Sequence, residues 1–389
     1  MDYKLRIGLA RMHVEAGERR DFLPEFVAAL ENRGAHAILE LGYGSGMGLS
    51  EEDYRRVAPS ASFVSREEVY QQDYVLVLRY PRDEDLHCMH PGACLITMAH
   101  YPTRPERVAF LRSLGVEVVS LDMLTDDSGR RLVENLRAVA WNGVGVAFRV
   151  LRTQYPPPGF NSPHRPPIQV TLLGAGAVGS HVMQAAIRYG DQELWKRMAS
   201  AGIPGVQVTA VDYDVSRMED VMLAILSHTD LLVDATQRPD PSQPVIPNDW
   251  IGHMPEHAVL LDLSVDPYKC TTEPFSVKGI EGIPHGNLDH YVFAPDDPFF
   301  DTIPECINTT HRRYSVSCYS WPGIYPHRCM EVYGRQIIPV IRTLIEWGGI
   351  QHIDPHGRFF HRAIARAMLS RWQSEQNESN KHGERKTKP

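Results

Sequence analysis

Residues 168–180 read IQVTLLGAGAVGS, an apolar run broken by Gly174-x-Gly176-x-x-Gly179 and followed by a helical stretch. No other segment limits the fold of the chain so tightly. In a strand–turn–helix of this kind the first glycine makes the tight turn. The second lets the backbone approach a pyrophosphate, and the third lets helix and strand pack closely. Such a turn also aims free N–H groups and a helix N-terminus at an anion. Pro166-Pro167 precede the strand, and Val182, Ala185 and Ala186 recur at helical spacing within 180–189. The segment therefore predicts a dinucleotide-binding loop, with Gly174, Gly176, Ala177, Val178 and Gly179 as its cofactor-binding positions.

Apolar runs alternate with helical stretches from end to end, the pattern of parallel α/β units. Strands are predicted at 5–10, 35–41, 74–78, 93–99 and 116–121, with helices at 24–32, 67–72 and 105–114. Asp21 reads as the N-cap of the first helix, Pro24 suits its first turn and Gly34 stops it. A long helix is predicted at 132–152 despite Gly143 and Gly145, leading into a proline-rich connection or exposed loop at 155–167. Past the glycine loop, strands are predicted near 206–211, 231–235 and 259–265. A helical run through Val332, Ile337, Ile338, Val340, Ile341 and Leu344 follows Pro322-Gly323. The end of the chain is polar and basic and predicts a disordered tail over 371–389. The expected fold is α/β, with two Rossmann-like, doubly wound parallel-sheet domains and a cleft between them.

A chain of 389 residues with 43% hydrophobic content suffices for two ordinary domains. A formal net charge of -8 argues against a nucleic-acid or membrane-surface partner. No run approaches the ~18 apolar residues of a membrane span. The N-terminus lacks the apolar core of a signal peptide and enters a strand-like run at once, so a cytoplasmic location is expected. The cysteines, Cys88, Cys94, Cys270, Cys306, Cys318 and Cys329, are scattered singly. That is the usage of a reducing compartment and predicts no disulfide framework. His87, Cys88 and His90 lie close together, but a further ligand at zinc spacing is missing, and no metal is expected.

In open α/β sheets, ligands bind beyond the carboxyl ends of the strands. Arg20 lies in the loop after the first strand, Arg79 ends YVLVLR, His100 ends CLITMAH and Asp266 ends AVLLDLSVD. Two guanidiniums can hold carboxylate oxygens in fork geometry. An imidazole titrates near neutral pH and can pass a proton, and a carboxylate can hold an ammonium or orient the imidazole. Asp212, after VQVTAV, is the candidate for the adenosine ribose, where a carboxylate favours NAD over NADP. It lies 38 positions beyond Gly174 instead of the usual ~20, the excess falling in a lengthened crossover at 191–205. Asp214 is the alternative for that role, and Arg217 keeps NADP open.

These segments resemble the superfamily of alanine dehydrogenases, transhydrogenase α subunits and saccharopine dehydrogenases. GERRDFLPEFVAALENRGAHAILELGYGSGMGLSEEDY resembles the opening of alanine dehydrogenases. It puts Arg20 on the arginine that binds the substrate carboxylate. LRYPRDEDL resembles the segment of the substrate lysine, with Arg79 in its place, and TMAHYP that of the catalytic histidine, hence His100. LDLSVDP resembles the segment of the active-site aspartate, hence Asp266, and WPGIYPHR the Pro-Gly segment after the nucleotide domain. SLDMLTDDSGRRLVENLRAVAWNGVGVAF is more similar to saccharopine dehydrogenases, with Asp122 in place of a substrate-site glutamate.

The resemblance implies a discontinuous substrate domain, 1–142 with 322–370, around an NAD(P)-binding domain at 143–321. It further implies an NAD(P)-dependent oxidoreductase acting on the C–N bond of an amino acid. The reaction would be oxidative deamination or reductive condensation with a 2-oxo acid. The partner is then a small amino acid or 2-oxo acid, and whether the chain forms a homo-oligomer stays open. A guanidinium at position 79 cannot serve as a base at neutral pH, although it can still bind a carboxylate. The segments 191–205 and 271–308 read as insertions. The alternatives are a non-catalytic NAD-binding sensor of the same fold and a transhydrogenase subunit.

Overall fold

The computed structural model describes residues 4–12, 15–238, 240–271 and 275–374. The chain forms two compact units, one built from Met1–Asn135 and Tyr325–Pro389, the other from Leu136–Ile324.

The first unit holds six strands, β1 (Leu5–Leu9), β2 (Ala35–Glu40), β3 (Ser62–Val64), β4 (Tyr74–Arg79), β5 (Cys94–Met98) and β6 (Glu117–Ser120). They pair in the order β3-β2-β1-β4-β5-β6, and every pair is parallel. Runs such as YVLVL and CLIT are almost continuously apolar because such a sheet is covered on both faces. Val75, Leu76, Val77, Leu95 and Ile96 are all buried. Strand order reverses between β1 and β4, so the loops leaving those two strands open at the topological switch point.

The helix Pro24–Glu31 starts on its proline, and Gly34 follows it with a φ of +92°. Leu23, not Asp21, is its N-cap, and no side chain caps it. Asp21 is instead turned inward, where it accepts the Gly44 N–H at 2.8 Å. The C-terminal part of the chain completes this unit through the helix Pro326–Trp347. It buries Ile337, Val340, Ile341 and Leu344, each worth about 1.5–3 kcal/mol of transfer free energy. Gly334 lets this helix come close to Phe26, whose ring would stand 3.3 Å from an added Cβ. Tyr74 Oη accepts the Ile350 N–H at 2.8 Å and Tyr101 Oη donates to the Val118 carbonyl at 3.0 Å. Residues 369–374 are helical, and Trp372 packs 5.4 Å from the Tyr101 ring. The disorder expected from 371 onward therefore does not hold for 371–374, and 375–389 lie outside the described residues.

The second unit holds β7 (Ile168–Leu173), β8 (Val206–Val211), β9 (Leu231–Asp234), β10 (Val259–Asp262), β11 (Val292–Phe293) and β12 (Tyr314–Ser317). Their order is β11-β12-β10-β9-β7-β8, all parallel except the edge strand β11. Here the switch point falls between β7 and β9. The helix Leu136–Gln154 runs unbroken through Gly143 and Gly145 because both are points of close approach. A Cβ on Gly143 would meet Leu263 at 2.5 Å, and one on Gly145 the Gly190 carbonyl at 3.3 Å. The 155–167 connection is not exposed throughout. Phe160 and Arg165 are buried, and the Arg165 guanidinium donates to the carbonyls of Phe160 and Pro166.

The segment after β10 packs a small core of its own from Val277, Phe293, Phe300, Ile303 and Ile307. A disulfide joins Cys270 to Cys306. This overturns the expectation of unpaired cysteines. The two residues stand 36 positions apart with no motif between them, and only the folding of the intervening segment brings them together. Among the described residues no helix is long and apolar enough to cross a membrane.

Candidate functional site

At the edge of the first sheet, Arg20 is buried in the loop after β1 and is gripped by Glu18. Arg20 Nε donates to Oε1 at 2.8 Å and Nη2 to Oε2 at 2.5 Å. The backbone N–H groups of Arg19 and Arg20 reach the same carboxylate. Burial acts to raise the Glu18 carboxyl, but the Arg20 guanidinium outweighs it and holds it below the usual carboxylate range. Arg20 Nη1 also lies 3.6 Å from Cys329 Sγ, on the returning helix. Arg79, the last residue of β4, makes a second fork with Glu15. Its Nε donates to Oε2 at 3.0 Å and its Nη2 to Oε1. Both guanidiniums sequence analysis assigned to a substrate carboxylate thus hold carboxylates of the protein itself. Tyr333, on the returning helix, has its phenol pushed up by burial and feels the charges of both arginines. Glu15, Glu18, Cys329 and Tyr333 were missed; the acid–base alternation EAGERR was the available signal.

Along the same edge, Arg79 is the register partner of Met98, two residues before His100. His100 has a φ of +55°, a conformation non-glycine residues seldom adopt, and its side chain is 46% exposed. Asp122, from the end of β6, holds it in two places. Its Oδ1 accepts the His100 backbone N–H at 3.2 Å, and its Oδ2 lies 3.3 Å from Nδ1. Ser120 Oγ donates to Asp122 Oδ1 at 2.7 Å and accepts the Ala99 N–H at 3.1 Å. Burial alone would raise the Asp122 carboxyl, but the bonds from His100 and Ser120 pull it down to about 2. A carboxylate at Nδ1 favours the tautomer protonated there and leaves Nε2 as the basic nitrogen. Asp122 was expected to touch substrate; its contacts serve the turn and ring of His100.

At the edge of the second sheet the three loop glycines differ in what surrounds them. Gly174 has a φ of +85°, and a Cβ there would lie 2.9 Å from the Ala235 carbonyl. A Cβ on Gly179 would strike the Gly174 carbonyl at 2.1 Å, while one on Gly176 would face open space. The loop is thus sealed where helix meets strand and open where backbone would approach a ligand. The helix Ala177–Ala186, with Val178 in its first turn, presents its N-terminus there. Asp212 follows β8, the neighbour of β7, and is exposed, one carboxylate oxygen accepting the Tyr213 N–H at 2.8 Å. Asp214 accepts the Val215 N–H, and the Arg217 guanidinium lies 3.9 Å over the Tyr213 ring.

Strand β10 stops at Asp262, so Asp266 does not end the strand; it lies in the loop beyond it. Asp266 Oδ2 accepts from Arg238 Nη2 at 2.7 Å. Val265, just before it, has a φ of +57°, and its N–H donates to Asp262 Oδ1 at 2.8 Å. Asp262 is itself buried and paired with the buried Lys278 at 2.6 Å, and it accepts from Ser317 Oγ at 2.9 Å. Burial acts to raise the Asp262 carboxyl, and Lys278 outweighs it. Asp234, at the end of β9, is pushed up to about 6 by burial and by the neighbouring Asp262. This buried set was missed, since nothing in the sequence marks Lys278 as an interior lysine. His87 packs edge-on against Phe110 and His90 pairs with Asp73. Among the described residues no three His, Cys, Asp or Glu side chains are grouped to hold a metal.

Comparison with known proteins bears on the whole chain. Residues 12–140 match the family model of the alanine dehydrogenase/PNT N-terminal domain. An alanine dehydrogenase of Mycobacterium tuberculosis (strain CDC 1551 / Oshkosh) is 21% identical over 324 residues, 76% of this chain and 80% of that protein. An NAD(P) transhydrogenase subunit alpha of Haemophilus influenzae is 24% identical over 184 residues, 46% of this chain and 36% of that one. A solved L-alanine dehydrogenase superposes with a TM-score of 0.69 over 94% of both chains, at 17% identity, which establishes the shared fold. Residues 12–140 thus match the alanine dehydrogenase/PNT N-terminal domain, and the chain is similar to alanine dehydrogenases and, over less than half its length, to a transhydrogenase α subunit.

Proposed function

We propose that the chain is an NAD(P)-dependent oxidoreductase acting on the C–N bond of an amino acid, in the manner of an alanine dehydrogenase. The observation that carries this reading is the Ser120–Asp122–His100 array at the ends of β5 and β6, within the segment that matches the family model. An exposed imidazole backed by a buried carboxylate is built to hold and move a proton at Nε2. Arg79 would bind the substrate carboxylate, and Arg20, fixed by Glu18, would lend its charge from behind. Asp266 would position the nicotinamide ribose. The second unit fits a dinucleotide, because Gly176 leaves room for a pyrophosphate and Asp212 stands exposed for ribose hydroxyls. When bound, the nicotinamide supplies hydride exchange with the substrate carbon. Asp212 would oppose a 2′-phosphate, so NADH should bind more tightly than NADPH.

The test is NADH oxidation with pyruvate and ammonia, repeated with lysine or ornithine replacing ammonia and 2-oxoglutarate replacing pyruvate. Turnover with ammonia supports deamination chemistry. Turnover only with the diamino acid supports saccharopine-type condensation, which the Asp122 segment resembles. His100→Ala should lower kcat about 10²–10⁴-fold while NADH affinity is kept. Unchanged turnover would remove His100 from the mechanism. NADH binding without turnover on any pair would favour a nucleotide sensor.

A further inference from the structure

The two arginine forks at the first sheet edge are alike in geometry and unlike in exposure. The Arg20 and Glu18 side chains are 2% and 1% exposed, whereas Arg79 and Glu15 are 29% and 35% exposed. The cavity beside the second pair, lined by Arg11, Glu15, Arg66, Arg79 and Tyr80, has a volume of about 10 Å³. That is room for one water. Glu15 already takes both Nε and Nη2 of Arg79, so a carboxylate that uses this fork takes the place of Glu15.

From this we infer that Arg79 and Glu15 together form a receptor for a zwitterion, and that Glu15 discriminates an α-amino acid from its 2-oxo acid. The inference rests on the reading of Arg79 as the carboxylate-binding residue. When an amino acid opens the ion pair, its carboxylate takes Arg79 and its ammonium takes Glu15, so both charges of the protein stay paired. A 2-oxo acid brings no cation. It occupies Arg79 and strands Glu15, forfeiting the attraction that held the pair. For a pair about a third exposed that attraction is about 0.2–1 kcal/mol, an affinity penalty of up to about fivefold. Glu15 thus tilts the site toward the amino acid by pairing with its ammonium.

The test is calorimetric titration of the full chain with L-alanine in the presence of NADH, and with pyruvate in the presence of NAD. Neither combination turns over. Glu15→Gln should bind pyruvate about two- to fivefold more tightly and L-alanine more weakly by a similar factor. Arg79→Met should weaken both. A shift of the same sign for the two probes, or no shift, while Arg79→Met still loses both, would overturn the role of Glu15 and leave Arg79 as the carboxylate residue. If Arg79→Met bound both probes as the parent does, or if the parent bound neither, the carboxylate reading would fall and the inference with it. A structural role for Glu15 predicts loss of both affinities, which separates it from the crossed result.

Discussion

The two sheet edges use charge in opposite ways. The first keeps part of its ionisable set in reach of solvent: His100 is 46% exposed and the Arg79–Glu15 pair about a third. The second seals its set away, with Asp234, Asp262 and Lys278 all buried. There the surface left to a ligand is glycine backbone, a helix N-terminus, the exposed Asp212 and Asp214 and the partly exposed Asp266. A site that moves protons on a small charged substrate needs side chains that can change partner. A site that grips a pyrophosphate needs fixed N–H groups, and buried charges behind it that never move. Each edge also contains one sealed pair, Glu18–Arg20 and Asp262–Lys278, and one less buried pair; the contrast lies in the cation of the latter, since Arg79 is 29% exposed and Arg238 only 8%.

The largest effects should come from the sealed pairs. Lys278→Met leaves Asp262 buried without its cation, and Glu18→Gln leaves Arg20 buried without its anion. Each should cost about 3–5 kcal/mol, read from urea titrations with hydrogen exchange assigning the loss to its own unit. Lys278→Met with Asp262→Asn should recover a large part of the deficit, since an apolar and neutral replacement strands no charge. A cost below about 1 kcal/mol for either single variant would show that the pair is wet in solution and would dissolve the contrast.

Next come the loop glycines. Gly179→Ala drives a Cβ into the Gly174 carbonyl and should destabilise the second unit by about 3 kcal/mol. Gly176→Ala meets nothing, so stability should stay within about 0.5 kcal/mol. NADH affinity should nonetheless fall about tenfold or more, about 1.4 kcal/mol. Equal effects of the two changes on folding would mean that position 176 is packed and not open to a ligand.

What was legible in the sequence follows the same division. The glycine loop was legible because each glycine answers a local backbone demand written into the motif. The parallel sheets were legible because strands covered on both faces read as apolar runs, so β4, β5 and β7 stood out. The short edge strand β3 and the helix Glu51–Val57 were not, since neither has a long apolar run. Arg20, Arg79 and His100 could be placed at strand ends, but their partners could not. Glu18 lies two residues from Arg20, whereas Glu15 pairs across 64 positions and Lys278 reaches Asp262 from the loop segment beyond β10. Asp21 satisfied a capping pattern and went instead to the Gly44 N–H, a tertiary bond that outcompeted the cap. The Cys270–Cys306 bridge depends on the fold of the segment it closes.

The two edges should also titrate in opposite directions. Asp122 is held at about 2, below its unfolded value of about 4. Its contribution, about 2 kcal/mol, is present above pH ~4 and lost as pH falls through about 2. Asp234 is raised to about 6, so its contribution is complete below its unfolded value and lost as pH rises through about 6. Asp122→Asn should remove the acid slope of the first unit, and Asp234→Asn should flatten the second unit between pH ~4 and 6. Stability measured against pH for each variant checks both signs. A first unit whose acid slope survives Asp122→Asn would place that slope on other carboxylates.

The smallest effect is the sharpest test of the comparison. Glu15→Gln removes the anion from Arg79 as Glu18→Gln removes it from Arg20, with the same fork geometry lost in each case. The pair at Arg79 is about a third exposed, so water replaces the lost partner and the stability cost should stay under about 1 kcal/mol. Salt separates the two further. At 1 M ionic strength the screening length falls to about 3 Å, and the deficit of Glu15→Gln should vanish. The deficit of Glu18→Gln should persist, because counter-ions cannot enter a buried pair. Paired urea titrations at low and high salt measure both. If Glu15→Gln cost as much as Glu18→Gln and resisted salt, Arg79 would be sealed like Arg20. Arg79 would then be as closed as Arg238 at the second edge, and a substrate carboxylate would have to be sought away from both Arg20 and Arg79.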